Sequence, residues 1–139
     1  MPADRRSQAR ASRTVGCGID VVELPKFRRA VARGGQRFLR RVFTERETAY
    51  ARARQRTRLL HLAARFAAKE AVIKAVSQID PRRVPSMKQV EIRNDRLGRP
   101  RIILHDSRMK RLTIHVSLSH VETVAVASAI AIHSASRNL

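Results

Sequence analysis

The chain is poor in cysteine, aromatic residues and carboxylates. Among 139 residues there is one cysteine, no tryptophan, one tyrosine and four phenylalanines. A lone thiol, Cys17, excludes an internal disulfide framework and any zinc site built from several cysteines. With no His/Asn arrangement to mark it as a nucleophile, Cys17 reads as a core thiol. Five aromatic side chains are too few for a base-stacking platform, and no zinc-finger or RNA-recognition pattern is present. No apolar run approaches the roughly 18 residues of a membrane span. The longest, 124–132, has nine residues, contains Ser128 and reads as a strand. These absences point to a soluble cytoplasmic protein.

What the chain has in excess is positive charge. Lysine plus arginine number 30 against 11 carboxylates, a formal net charge of +19. Arginine outnumbers lysine 25 to 5, a bias that coding composition explains in part. The remaining field still attracts polyanions and steers acidic partners. Apolar residues make up 43%, enough for one core, and the length suits a single domain.

Residues 1–14 carry four arginines without apolar periodicity and read as a disordered basic tail. The domain follows at 15–133, with 134–139 as a short C-terminal tail. A first strand spans 15–22, loosened by Gly16 and Gly18. Pro25 opens a helix that Gly34 and Gly35 stop, and a short basic helical piece follows at 36–42. Thr44 with Glu47 forms a capping box, and the polar stretch 55–58 interrupts the chain. Residues 59–76 are the strongest helix in the sequence, apolar nearly all round and so packed on several sides. Two hairpins are expected, 90–93 with 101–104 and 112–119 with 124–132. In the second, Thr113, His115, Ser117 and Ser119 share one face. The order predicts an α+β fold, helices on one face of a mainly antiparallel sheet.

Two of the 11 carboxylates stand in apolar surroundings. Asp20 lies inside the first strand and Glu70 in the middle of the central helix. A buried carboxylate is costly unless it is paired, hydrogen-bonded or bound to a metal. Either each pairs with an arginine, or together they form a hard-cation site of the kind that holds Mg²⁺ with substrate phosphates. Lys69 and Lys74, two of only five lysines, bracket Glu70. Lys74 is either an ordinary i,i+4 partner or a compact charge for a phosphate. His120 closes its strand beside two hydroxyls. The remaining histidines lack metal-site spacing.

Four segments, in order, resemble the holo-acyl-carrier-protein synthase family of 4′-phosphopantetheinyl transferases: Gly18-Ile19-Asp20-Val21-Val22-Glu23-Leu24; Arg65-Phe66-Ala67-Ala68-Lys69-Glu70-Ala71-Val72-Ile73-Lys74-Ala75; Gly98-Arg99-Pro100; and His115-Val116-Ser117-Leu118-Ser119-His120. The resemblance runs from about 15 to 132. It implies transfer of the phosphopantetheine arm of coenzyme A to a serine of apo acyl carrier protein, releasing adenosine 3′,5′-bisphosphate. It further implies Mg²⁺ held by Asp20 and Glu70, Lys74 beside the pyrophosphate, and Lys69 and His120 on the nucleotide or phosphates. The acidic carrier would dock on the helix after Glu23, on Lys26, Arg33, Arg37 and Arg41 around Phe38. The family's short members are homotrimers. Where many of them place a Gly-Thr-Gly turn after the central helix, this chain has Val76-Ser77-Gln78. That difference leaves a carrier- or coenzyme-binding member without transfer as one alternative, and the net charge leaves a basic nucleic-acid-binding module as another.

Overall fold

A computed structural model describes residues 13–134. Strand β1 (Arg13–Glu23) leads into helix α1 (Leu24–Val42), followed by α2 (Glu45–Arg52) and the long α3 (Arg58–Ile79). Strands β2 (Val90–Asn94), β3 (Pro100–Leu104), β4 (Leu112–His120) and β5 (Val124–Ser134) complete an α+β fold. The strands form two sheets instead of one. β1-β5-β4 is a three-stranded antiparallel sheet, and β2-β3 is a separate hairpin. No helix among the described residues is long and apolar enough to cross a membrane.

The position of the site follows from how closely α3 lies on the sheet. Inward-facing residues of β1 are Gly16, Gly18, Asp20 and Val22. A Cβ on Gly16 would stand 2.0 Å from the Ala75 carbonyl oxygen, and one on Gly18 2.0 Å from that of Ala71. These glycines therefore do more than loosen the strand: they let it rest on the helix backbone. β5 contributes Ala125, Ala127, Ala129 and Ala131, and α3 contributes Ala63, Ala67, Ala68, Ala71 and Ala75, all buried. Small residues on both sides bring the elements together. The larger side chains Phe27, Leu39, Phe43 and Leu62 fill the opposite side of α3.

Several sequence boundaries move. Arg13 and Thr14 belong to β1 and Ser134 to β5, while the rest of both expected tails lies outside the described residues. Gly35, at φ 52° and ψ −145°, kinks α1 without ending it. The Thr44–Glu47 capping box is present in both directions. Helix α3 continues a turn past the expected end, through Ser77 and Gln78 to Ile79. Cys17 is exposed, which corrects its reading as a core thiol: the alternation that turns Gly16 and Gly18 inward turns it out.

Candidate active site

Asp20 and Glu70 meet where β1 crosses α3. Neither is deeply buried. Asp20 is 18% exposed at the side chain, and its Oδ1 accepts from Lys74 Nζ at 2.9 Å. Burial, and then the nearby charge of Asp20, hold the Glu70 carboxyl above the usual carboxylate range, against the opposing pull of Lys74. Two carboxylates that repel each other in a partly desolvated crossing are a favourable place for a cation. Lys74, half exposed, also donates to the Ile19 carbonyl at 2.9 Å. One turn on, Gln78 Oε1 accepts from the Cys17 amide at 2.9 Å. Lys74 and Gln78 thus hold two backbone groups on the free edge of β1, the strand that carries Asp20. Of Val76, Ser77 and Gln78, Gln78 forms part of this brace.

A cavity of about 310 Å³ opens on another side of α3, among Tyr50, His61, Arg65, Asn94, Ser117 and His120. Arg65 is buried and donates to Asn94 Oδ1 at 3.0 Å. Its guanidinium carbon lies 4.0 Å from the centre of the Tyr50 ring. Its Nε is buried with no partner among the described residues, a donor placed for an acceptor that enters the cavity. Burial pulls the Arg65 pKa below its ordinary value. His61 stands perpendicular to Tyr50, ring centres 5.4 Å apart. Cations, hydroxyls and a spare donor give this cavity the chemistry that suits an anion.

A family model described as the 4′-phosphopantetheinyl transferase superfamily matches residues 16–129. The chain belongs to this superfamily. The holo-[acyl-carrier-protein] synthase of Moorella thermoacetica is 45% identical to it over 120 residues, 81% of this chain and 90% of the relative. That of Mycobacterium leprae is 40% identical over 124 residues, 84% and 95% respectively. An ACPS–CoA complex from Chronobacterium ammoniagenes superposes with a TM-score of 0.75 at 29% identity, covering 88% of this chain and 99% of that one. A holo-(acyl-carrier-protein) synthase from Bacillus anthracis in complex with CoA gives 0.72 at 33% identity, covering 88% and 100%.

Within this phosphopantetheinyl transferase the sequence-derived residues separate into groups. Asp20, Glu70 and Lys74 are together. His120 lies apart from them, in the anion cavity. Lys69 is in neither place: it is fully buried, with Nζ 2.8 Å from Glu47 Oε2, and it donates to the carbonyls of Met87 (2.9 Å) and Val90. All three of its donors are committed, so the structure corrects its expected contact with nucleotide to a structural role. Burial lowers its pKa against the favourable pull of Glu47. Lys26, Arg33, Arg37 and Arg41 are exposed along α1, on both sides of the Gly35 kink. Phe38 is half-buried, its ring 6.3 Å from Phe27 and 6.4 Å from Phe66. It supports α1 more than it projects from it.

Sequence reasoning assigned no role to Tyr50, His61 or Arg65. Their signal was the i,i+4 spacing of His61 and Arg65 on a helix face, hidden among the alanines. Among the described residues no group of three or more His, Cys, Asp or Glu side chains gathers to hold a metal. The pair Asp20–Glu70 nevertheless fits Mg²⁺, which takes one or two carboxylates and completes its shell with water and phosphate oxygens.

Proposed function

We propose that this chain is a holo-acyl-carrier-protein synthase, moving the 4′-phosphopantetheine arm of coenzyme A to a serine of apo acyl carrier protein. The observation that carries the reading is the Asp20–Glu70–Lys74 crossing, found in a member of the superfamily together with a separate anion cavity. The serine oxygen forms a bond to the β-phosphorus while the bond from that phosphorus to the bridging oxygen breaks. Adenosine 3′,5′-bisphosphate leaves with the electron pair. Mg²⁺, when bound by Asp20 and Glu70, supplies neutralisation of the pyrophosphate charge. Glu70 takes the serine proton directly or through one water. Lys74 turns from Asp20 to a phosphate oxygen and offsets the charge that develops on the leaving group. Arg65 Nε, His120 and Ser117 line the cavity for the nucleotide end, and the basic face of α1 receives the acidic carrier in the cytoplasm.

The reading is tested by incubating the protein with coenzyme A, Mg²⁺ and a panel of apo carrier proteins, followed by intact mass. A carrier should gain one phosphopantetheine, and EDTA should abolish the gain. No gain on any carrier, from protein shown to be folded, would overturn it.

We further infer that the working enzyme is a homotrimer with sites shared between subunits. At 100° per residue, Glu70 lies about 140° around α3 from Arg65, so one protomer does not point both halves of the site at one substrate. The outer sheet face also exposes Val15 (58%), Ile19 (62%) and Val21 (58%) beside Ile130, an apolar patch suited to self-association. Light scattering should give three times the chain mass, and Ile19→Asp should give one. A monomeric unaltered protein that is fully active would overturn the shared site.

A further inference from the structure

The reading above leaves His61 without a task. It sits on the wall of the anion cavity, one turn before Arg65, and half-buried. The residues that line the cavity include no carboxylate. The charged and titratable groups around His61 come from each element that encloses it: Arg65 on its own helix, Arg54 just beyond α2, and His120 at the end of β4, with the Tyr50 ring of α2 against its edge. Arg54 reaches over that same ring, its guanidinium carbon 3.6 Å from the centre, and donates to the Tyr50 carbonyl at 3.0 Å. An imidazole set among three potential cations, on the wall of a cavity that also holds the spare Arg65 donor, is placed to respond to an arriving anion.

We propose that His61 is a second imidazole ligand, beside His120, for a phosphate of the nucleotide held in this cavity, and that it couples binding to the uptake of one proton. This rests on the function proposed above. In the empty cavity, burial and then the charges of Arg65, Arg54 and His120 hold the imidazole below its ordinary pKa, so near neutral pH it is neutral. A phosphate dianion beside it reverses the local field and favours imidazolium. Binding and protonation then strengthen each other by the same factor. The sign follows directly. Affinity is enhanced as pH falls through the pKa of the bound complex, and the enhancement levels off below the pKa of the empty cavity, where His61 is already protonated. At most the effect is about tenfold per pH unit for one proton.

The test is calorimetric titration of adenosine 3′,5′-bisphosphate between pH 6 and 8, in buffers of different ionisation enthalpy, so that protons taken up are counted. Phosphate also titrates in this range, so the informative quantity is the difference between the unaltered protein and His61→Gln. We expect the variant to take up fewer protons, by up to one. Its affinity should be about tenfold weaker at pH 6 and nearly unchanged at pH 8. A loss of the same size at every pH would show a packing role and overturn the proposal, as would unchanged proton uptake. His120→Gln serves as a reference for a cavity imidazole that should lower affinity on its own account. If the unaltered protein does not bind the bisphosphate at all, the cavity assignment fails and this inference with it. Binding with unchanged uptake removes only the role of His61.

Discussion

Glu70→Gln should lower phosphopantetheine transfer by at least about a hundredfold, the usual scale for losing a positioned acid–base group, while the protein stays folded. The substitution keeps the shape of the side chain and removes one of two like charges at the β1–α3 crossing. It should therefore be neutral or mildly stabilising. Glu70 is raised above its ordinary pKa, so the folded state holds the proton more tightly than the unfolded state. Its stabilising contribution is present below the unfolded value, about pH 4, and is lost as pH rises through the raised value. The melting temperature of the variant should accordingly gain on the unaltered protein as pH increases through that window. Any rise in melting temperature on adding Mg²⁺ should disappear with the carboxylate. Full transfer activity in Glu70→Gln, or an undiminished response to Mg²⁺, would overturn the assignment. Asp20→Asn is a less clean probe, because it also releases Lys74.

The second large effect concerns stability. Lys69→Met should destabilise the protein by about 3–5 kcal/mol, the typical cost of leaving one member of a buried ion pair alone, or a fall of roughly 10–20 °C in melting temperature. Glu47 is the residue left behind. One of its oxygens accepts from the Ile92 amide at 2.8 Å and the other from the Thr44 amide at 2.9 Å, so the pair joins α2, α3 and the start of β2. The double variant Lys69→Met with Glu47→Leu should recover part of the loss, since a paired charge removed as a unit leaves no orphan. At a temperature where Lys69→Met remains folded, its affinity for adenosine 3′,5′-bisphosphate should lie within about twofold of normal. Unchanged stability with lost nucleotide affinity would return Lys69 to the binding machinery.

The fate of Lys69 also shows where the sequence is legible. Local features read well: the capping box at Thr44, the two hairpins, and the uninterrupted alanine-rich α3 are each specified by neighbouring residues. Asp20 and Glu70 were visible because a carboxylate in an apolar run is costly wherever the chain goes. Lys69 stood beside Glu70 in the same motif, and adjacency suggested a shared task. Successive helix residues point about 100° apart, and the partner of Lys69 is 22 positions upstream, on a helix whose docking no local pattern reveals. The anion cavity was hidden for the same reason, because Tyr50, Arg65, Asn94 and Ser117 come from four separate elements. Gly16 and Gly18 looked like weak points in a strand until the helix carbonyls above them were in place.

The brace that Lys74 and Gln78 place along β1 bears on the homotrimer proposed above. A bare strand edge invites another strand to pair with it, and such pairing repeats without limit. With the Cys17 amide and the Ile19 carbonyl already bonded to side chains of the same molecule, that route is blocked at the centre of β1. In the homotrimer proposed above, contact between copies would fall to the outward faces of Val15, Ile19 and Val21, where side-chain shape sets a fixed rotation between neighbours and a ring can close. Lys74 and Gln78 thereby work against open-ended strand pairing along this edge.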